Sequence, residues 1–169
     1  VADLHVRNID GVVSADTGSL ALLDGIRAQR PSAIVLLGDM TSGNRWHPQS
    51  AAELDRTWAV VTGLVAPLRD DGIAIVPVLG NHDCALPEQC EAYARAWQDL
   101  AHWVAPFTLQ AIPGDEPPFH YALRHADNRL LILDNANDGA EARQRDFAAA
   151  AFGLDASTPT VVLLHKPVV

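Results

Sequence analysis

Four clusters of polar residues stand next to apolar stretches of the sequence, and their side chains share the chemistry of metal ligands. The clusters are Asp3-Leu4-His5, Gly38-Asp39, Gly80-Asn81-His82-Asp83 and His165. Carboxylates, an amide oxygen and imidazoles suit Mn, Fe or Zn, and the lack of thiolates in the clusters argues against a soft structural site. A single polar residue after an apolar run is usually a turn or cap residue. Four such positions with matching chemistry indicate a metal centre.

Hydrolysis of a phosphoester is the reaction that best matches such a centre. Two divalent ions about 3.5–4 Å apart need a bridging anion, and the carboxylate of Asp39 is suited to that place. An ion pair of this kind binds a phosphate and lowers the pKa of a bridging water, so that a hydroxide nucleophile forms near neutral pH. No serine or cysteine nucleophile is then required. The sequence accordingly contains neither a Gly-x-Ser-x-Gly elbow nor a phosphate-binding glycine-rich loop.

The elements that must position these clusters alternate between strands and helices. Residues 1–5 are predicted to be the tail of a strand, on which Asp3 and His5 point to the same side. Further strands are predicted at 33–37, 73–79, 119–124, 129–134 and 160–164, and helices at 19–30, 50–69, 87–104 and 140–152. Loops are predicted at 7–18 and 106–118. This order predicts an α/β fold with a mixed sheet in layers, whose strand ends form the binding edge.

Two of the predicted helices carry clear apolar faces. Thr17 is predicted to cap the first, with Leu20, Leu23 and Ile26 on its buried face. The second carries a stripe with helical spacing, formed by Leu54, Trp58, Val61, Val65 and Leu68.

Length and composition narrow the classes of function. At 169 residues the chain fits one domain, 1–169. The formal net charge of −9 disfavours a general nucleic-acid surface, which would need basic patches, and no apolar run is long enough to cross a bilayer. A soluble, cytoplasmic protein is favoured, although the sequence decides neither the compartment nor the oligomeric state. Cys84 and Cys90 are too few for a disulfide scaffold, and a free buried pair is favoured over a disulfide.

In the order of its motifs the sequence resembles the calcineurin-like metallophosphoesterase family. That family's pattern is Asp-x-His, Gly-Asp, Gly-Asn-His-Asp/Glu, a His after a strand, and Gly-His-x-His, and the first four blocks occur here between residues 3 and 165. The segment Leu133-Asp134-Asn135 also resembles the family's strand ending in Leu-Asp-Ser/Asn. The resemblance implies a layered αββα sandwich with mixed β-sheets. It also implies a centre of two Mn, Fe or Zn ions that hydrolyses a phosphomonoester or phosphodiester.

The resemblance also implies a role for each residue of the clusters. The implied metal ligands are Asp3 and His5 at the first ion, Asp39 between the two ions, and Asn81 and His165 at the second. His82 would contact the phosphate and protonate the leaving oxygen, as a general acid. Asp83 would orient the imidazole of His82, or would cap the helix that follows it.

The sequence departs from the family pattern at both ends. It contains no Gly-His-x-His, and the strand before Asp3 is reduced to Val1 and Ala2. We therefore expect an incomplete fold from a longer parent enzyme, which lacks most of its first strand and two histidine ligands. Such a shortened chain would bind metal weakly and would be a poor catalyst.

Several other polar and aromatic residues have weaker claims to function. Asn44, Arg45, Trp46 and His47 follow Asp39 in a loop that could rim the site, but a solvent loop with Trp46 folded onto the domain is favoured. Lys166 could meet a phosphate, although a lysine after a strand is usually solvated. His102, His120 and His125 are expected to be structural, and Trp58, Trp97 and Trp103 are expected in or near the core.

The sequence is also compatible with two functions other than that of a small-molecule hydrolase. One is a non-catalytic scaffold of the same fold that binds proteins, against which the retained His82 argues. The other is a DNA-processing nuclease of the same family, which would need a basic groove. The acidic charge favours a small-molecule or nucleotide substrate over DNA.

Overall fold

The structure is a computed structural model of the chain and describes residues 1–9, 12–43, 46, 48–135 and 141–166. Within these residues the chain forms eight strands and five helices. The strands are β1 (Arg7–Ile9), β2 (Val12–Ser14), β3 (Ala33–Leu37), β4 (Ala74–Val78), β5 (Thr108–Gln110), β6 (Tyr121–His125), β7 (Asn128–Ile132) and β8 (Thr160–Leu163). The helices are α1 (Thr17–Gln29), α2 (Ala51–Asp70), α3 (Pro87–Ala96), α4 (Leu100–Val104) and α5 (Glu141–Leu154).

Three apolar clusters separate four layers of structure. The first packs α1, α2 and α3 against one face of β3 and β4, with Leu23, Trp58 and Ile75 among its members. The second lies between the opposite face of β3 and β4 and the facing side of β6 and β7, and Val76 and Tyr121 are among its members. The third packs α5 on the far face of β6 and β7. The layers run helix, sheet, sheet, helix, which confirms the αββα arrangement.

Parallel pairing brings the ends of distant strands to one edge of each sheet. Strand β3 pairs with β4 in parallel, with Leu37 opposite Val78, and β7 pairs with β8 in parallel. The second sheet has the order β5-β6-β7-β8, in which the first two pairings are antiparallel. Both sheets are thus built so that the residues after β3, β4 and β8 can meet.

The first residues do not form the predicted strand. The backbone N–H groups of Asp3 and His5 donate to the carbonyls of Gly38 and Asp39, so this segment runs along the loop after β3. Asp3 and His5 both have positive φ, at 58° and 46°, which is not extended backbone. The two side chains nevertheless come together, as predicted, because buried Leu4 points the other way.

Other elements differ from the predicted ones in kind or length. The loop predicted at 7–18 contains the antiparallel pair β1–β2, and the loop predicted at 106–118 contains β5. The helix predicted at 87–104 is two helices, α3 and α4. Helix α1 is capped by Asp16, whose carboxylate accepts from the N–H of Ser19, and not by Thr17. Leu20 is exposed, so its predicted burial is wrong, whereas Leu23 is buried.

Three further observations concern the core and the surface. All five residues of the predicted stripe on α2 are buried. Cys84 and Cys90 form a disulfide, so the favoured free pair is wrong; the six-residue separation spans the turn into α3 and brings the Cα atoms within 4.4 Å. None of the described helices is both long and apolar enough to cross a membrane.

Candidate metal centre

Three of the predicted ligands converge where the strand ends meet. One ligand atom each from Asp3, Asp39 and His165 lies within 4.8 Å of the other two. Asp39 is buried, and its Oδ2 atom lies 3.4 Å from Nε2 of His165 and 3.9 Å from Nε2 of His82. On the other side of the group, Oδ1 of Asp3 lies 3.5 Å from Nε2 of His5. Carboxylates and imidazoles from four separate segments therefore face one small volume.

Two glycines let the ends of β3 and β4 approach closely enough to build this group. Gly38 has a φ of 85°, and a Cβ atom there would lie 2.7 Å from both Gly80 Cα and His165 Nδ1. A Cβ atom on Gly80 would overlap the backbone nitrogen and Oδ1 of Asp39. Asp39 follows with a φ of 54°, which an aspartate tolerates better than most residues. Glycine is thus required at both positions because the neighbouring atoms leave no space for a side chain.

Backbone carbonyls orient all three histidines in the same way. Nδ1 of His165 lies 2.7 Å from the carbonyl oxygen of Leu37, and Nδ1 of His82 lies 2.6 Å from that of Gly43. Nδ1 of His5 lies 3.3 Å from the carbonyl oxygen of Thr41. A carbonyl only accepts, so Nδ1 carries the hydrogen in each ring and Nε2 of the neutral ring keeps its lone pair. This is the tautomer that a metal-binding histidine adopts when its other nitrogen is held by a carbonyl.

The distances between the histidine rings and the carboxylates indicate whether metal ions fit between them. The Nε2 lone pairs of His5 and His165 face the carboxylate oxygens of Asp3 and Asp39 across 3.4–3.5 Å. Two lone-pair donors that face each other at this distance can share a cation, which is either a proton or a metal ion. Oxygen and imidazole nitrogen are also the ligands that Mn, Fe and Zn accept. The residues present therefore fit metal ions.

His82 stands at the open side of this group. Its backbone N–H donates to Oδ1 of Asp39 at 2.9 Å, which ties the motif after β4 to the residue after β3. Its ring packs edge-on against the ring of His5, with centroids 5.2 Å apart, and its side chain is 38% exposed. By contrast, the side chain of His165 is only 10% exposed. His82 therefore has the access to solvent that contact with a substrate requires.

Asp83 performs neither of the two roles predicted for it. Its Oδ1 accepts from the N–H and the hydroxyl of Thr41, at 2.9 and 3.1 Å, and its Oδ2 accepts from the N–H of Gly80 at 3.1 Å. The imidazole of His82 is held by Gly43 instead, and Leu86 stands at the N-cap of α3. Because the carboxyl group is buried and close to Asp39, its pKa is raised to about 6. Asp83 thus joins the two metal-site loops.

Asn81 lies in the turn between Gly80 and His82 and is half-buried. Its carboxamide makes no side-chain hydrogen bond to another described residue, so the amide oxygen is open to a ligand.

A cleft beside the metal site contains residues that sequence reasoning did not select. It has a volume of about 460 Å³ and is lined by Asp3, Leu4, His5, Arg7, Ser14, Ala15 and Asp16. Thr41, Gly43 and Leu37 were also missed, because a backbone acceptor has no signature in the side-chain sequence. Arg7 could have been noticed from its position two residues after His5.

The residues with weaker claims separate into four groups. Asn44, Arg45 and His47 lie outside the described residues, while Trp46 is 80% exposed, so its predicted packing onto the domain is wrong. The backbone N–H of Lys166 donates to Oδ1 of Asn135.

The structural histidines include buried His120, whose Nε2 lies 2.8 Å from the carbonyl oxygen of Gly114. Trp58 and Trp97 are in the core, and Trp103 packs at its edge, as predicted.

Comparison with known proteins agrees with the motifs. The family model for the calcineurin-like phosphoesterases matches residues 1–169, which is the whole chain. No individual curated protein matches the sequence.

Proposed function

Because the chain belongs to the calcineurin-like phosphoesterase family, we propose that it hydrolyses a phosphomonoester or phosphodiester of a small molecule or nucleotide. At the level of the family, this is a metal-dependent phosphoester hydrolase. The observation that carries the proposal for this chain is the convergence of Asp3, Asp39 and His165, with imidazole lone pairs turned toward carboxylates. A protein that used this fold only as a scaffold would have no need of that arrangement.

The proposed metal ligands form two groups that share Asp39. Asp3 and His5 would hold one ion, Asn81 and His165 the other, and Asp39 would contact both. When bound, two such ions (Mn, Fe or Zn) supply a hydroxide nucleophile near neutral pH and offset the charge of the phosphate. The carbonyls of Leu37 and Thr41 hold the rings of His165 and His5 in the required tautomer.

His82 is proposed to donate the proton that the leaving oxygen needs. The carbonyl of Gly43 accepts the Nδ1–H of the ring in both its neutral and its protonated form, so Nε2 keeps its direction throughout. The protonated ring donates from Nε2 to the leaving oxygen, and solvent restores the proton afterwards. Asp83 supports this residue indirectly, because it fixes the loop of Thr41 against the turn that carries His82.

The charge of the chain supports a small substrate. Twenty-one acidic residues stand against 12 basic ones. A duplex nucleic acid would need a basic surface to offset its phosphates, whereas two metal ions are enough to hold a single phosphate group.

Turnover of chromogenic esters tests the proposal. The protein is supplied with Mn²⁺, Fe²⁺ or Zn²⁺, and release of 4-nitrophenol is followed from 4-nitrophenyl phosphate and from bis(4-nitrophenyl) phosphate. We expect hydrolysis that a chelator abolishes and that Asp39→Asn lowers by about 100-fold or more, because the amide cannot replace the shared carboxylate. Asp127→Asn changes an exposed carboxylate in the β6–β7 turn and is the matched control.

Two outcomes would contradict the proposal. The first is a protein that binds no metal and hydrolyses neither ester, which would favour the scaffold reading. The second is hydrolysis that Asp39→Asn and Asp127→Asn leave equally unchanged, which would place the activity elsewhere.

A further inference from the structure

The cleft next to the metal site has a wall that the metal ligands do not explain. The cleft is lined by Asp3 and His5 and by residues of the β1–β2 pair, in which Arg7 lies opposite Ser14. It therefore joins two of the proposed metal ligands to Arg7. A substrate whose phosphate is held by the ligands can therefore extend its remaining atoms along this wall.

Arg7 is placed on the cleft by the alternation of the chain. Val6 is fully buried and pairs with Thr41, so the next side chain points to the opposite side. The side chain of Arg7 is exposed and lines the cleft. It forms no ion pair with any other residue in the described part of the chain. A guanidinium in this position offers several N–H donors to a ligand.

The other charged groups of the cleft already have partners. The carboxylate of Asp16 accepts from the backbone N–H of Ser19 at 3.0 Å and from its hydroxyl at 2.7 Å. These bonds hold the pKa of Asp16 below its usual value and engage both oxygens. Asp3 faces His5 at the metal site. Arg7 is thus the charged group of the cleft that remains for a ligand.

We infer that Arg7 is a specificity-determining residue, which binds a second anionic group, a carboxylate or phosphate, in the part of the substrate beyond the reacting phosphate. The inference rests on the proposed function of the adjoining metal site. Metal ions held by Asp3, His5, Asp39, Asn81 and His165 would offset the charge of the reacting phosphate, so the Arg7 cation serves the remainder of the molecule. The preferred substrates are then phosphoesters whose alcohol part carries a negative charge.

A matched pair of ligands isolates this effect. 3-Phosphoglycerate and glycerol 3-phosphate differ only in a carboxylate that replaces a hydroxymethyl group. Inhibition constants of both are measured against whichever chromogenic ester the metal-loaded protein hydrolyses, and dissociation constants are measured by calorimetry with the same protein. The variants are Arg7→Gln, Arg7→Lys and the control Arg56→Gln, which removes an exposed arginine from α2.

The expected result is a preference for 3-phosphoglycerate of about 3- to 10-fold, the size of a partly exposed ion pair with hydrogen bonds. Arg7→Gln brings the ratio of the two constants close to one, Arg7→Lys retains part of it, and Arg56→Gln retains all of it. Glycerol 1,3-bisphosphate, which carries a phosphate in place of the hydroxyl of that hydroxymethyl group, distinguishes the two kinds of anion.

Three outcomes would overturn the inference. They are a wild-type ratio near one, a ratio that Arg7→Gln leaves unchanged, and an equal loss of affinity for both ligands, which would assign Arg7 to the reacting phosphate. Failure of the proposed function is distinguishable, because it appears as absence of ester hydrolysis. In that case the calorimetric ratio still decides the role of Arg7.

Discussion

At the scale of single residues, backbone carbonyls determine what the histidines can do. Leu37, Thr41 and Gly43 each present a carbonyl oxygen to an Nδ1 atom. The three rings therefore turn Nε2 toward the carboxylates or toward solvent. The difference between them is exposure: His165 is nearly enclosed, whereas His82 is open. The proposed ligand His165 and the proposed acid His82 thus have the same ring orientation and differ in their exposure to solvent.

The proposed acid role of His82 predicts a dependence on the leaving group. In His82→Gln we expect hydrolysis of an alkyl phosphoester to fall by about 10²- to 10⁴-fold, because an alkoxide needs a proton as it leaves. Hydrolysis of the 4-nitrophenyl ester should fall much less, since nitrophenolate leaves without one. Both rates are measured with the same metal, and His125→Gln, an exposed histidine on β6, is the control. Equal losses for both esters would contradict the acid role.

The raised pKa of Asp83 predicts that the stability of the metal-free protein depends on pH. The pKa of Asp83 is about 6 in the folded state, against an ordinary value of 3.8. Between these values the folded state keeps a proton that the unfolded state has lost, so this group's contribution to stability is full below pH 4 and declines as the pH rises to 6. A rise in pKa from 3.8 to about 6 corresponds to a free energy on the order of 3 kcal/mol.

The measurement compares wild type with Asp83→Asn by urea unfolding at several pH values from 4 to 6.5. The free energy of unfolding of wild type should fall relative to that of the variant over this range. Any constant cost of the substitution cancels, because only the change with pH is compared. A difference between the two proteins that stays the same at every pH would show that Asp83 titrates normally.

At the scale of elements, the candidate metal site depends on how closely the ends of β3 and β4 approach each other. Gly38 and Gly80 approach each other where their strands finish, and no room remains for a side chain on either. The hydrogen bonds of Asp83 to Thr41 and Gly80 then join the two loops beyond the strands. The geometry at Asp39 is therefore a property of two strand ends and not of one residue.

This closeness predicts that Gly80→Ala displaces the carboxylate of Asp39. We expect a loss of stability on the order of 1–3 kcal/mol from overpacking, together with loss of bound metal. Gly63→Ala is the control, because Gly63 lies within α2 and a Cβ atom there meets nothing within 4 Å. That variant should gain about 0.5–1 kcal/mol and keep its metal. Both effects are measured by thermal unfolding and by metal content; a Gly80→Ala protein with normal metal content would contradict the account.

The long apolar elements were predictable from the sequence, and the short or irregular ones were not. Strand β3 has the predicted bounds, and α2 differs from its prediction by one residue at each end. The single helix predicted at 87–104 failed because Tyr93, Trp97, Leu100 and Val104 are all buried, and their spacing suits two helices joined by a turn as well as one. The strands β1, β2 and β5 have three residues each, too few for a periodic pattern.

The candidate site was predictable in its side chains but not in its connections. Asp39 and His165 converge because β3 and β8 end close together in the packed sheets, whereas Asp3 is brought there by the hydrogen bonds of its segment to the loop after β3. The role predicted for Asp83 was wrong because sequence proximity to His82 does not reveal that the carboxyl group points inward to Thr41. Positive φ at Asp3 and His5 likewise reflects hydrogen bonds to the loop after β3, which no local pattern encodes.

At the scale of the whole molecule, the four layers bring together residues that lie far apart in the chain. His165 follows the end of β8, yet its Nδ1 atom lies 2.7 Å from the carbonyl oxygen of Leu37, which is 128 positions earlier in the chain. The contact exists because the two sheets pack face to face through Val76, Tyr121 and their neighbours.

Metal ions are proposed to bind between the strand ends, and an experiment that locates the ions tests this directly. Crystals grown with Mn²⁺ are measured at the manganese absorption edge, and an anomalous difference map is calculated. We expect peaks bounded by Asp3, Asp39 and His165, with Asn81 and His5 as further ligands, and we expect these peaks to disappear in Asp39→Asn. Mn²⁺ bound only to other side chains, with no peak between Asp3, Asp39 and His165, would contradict the proposal.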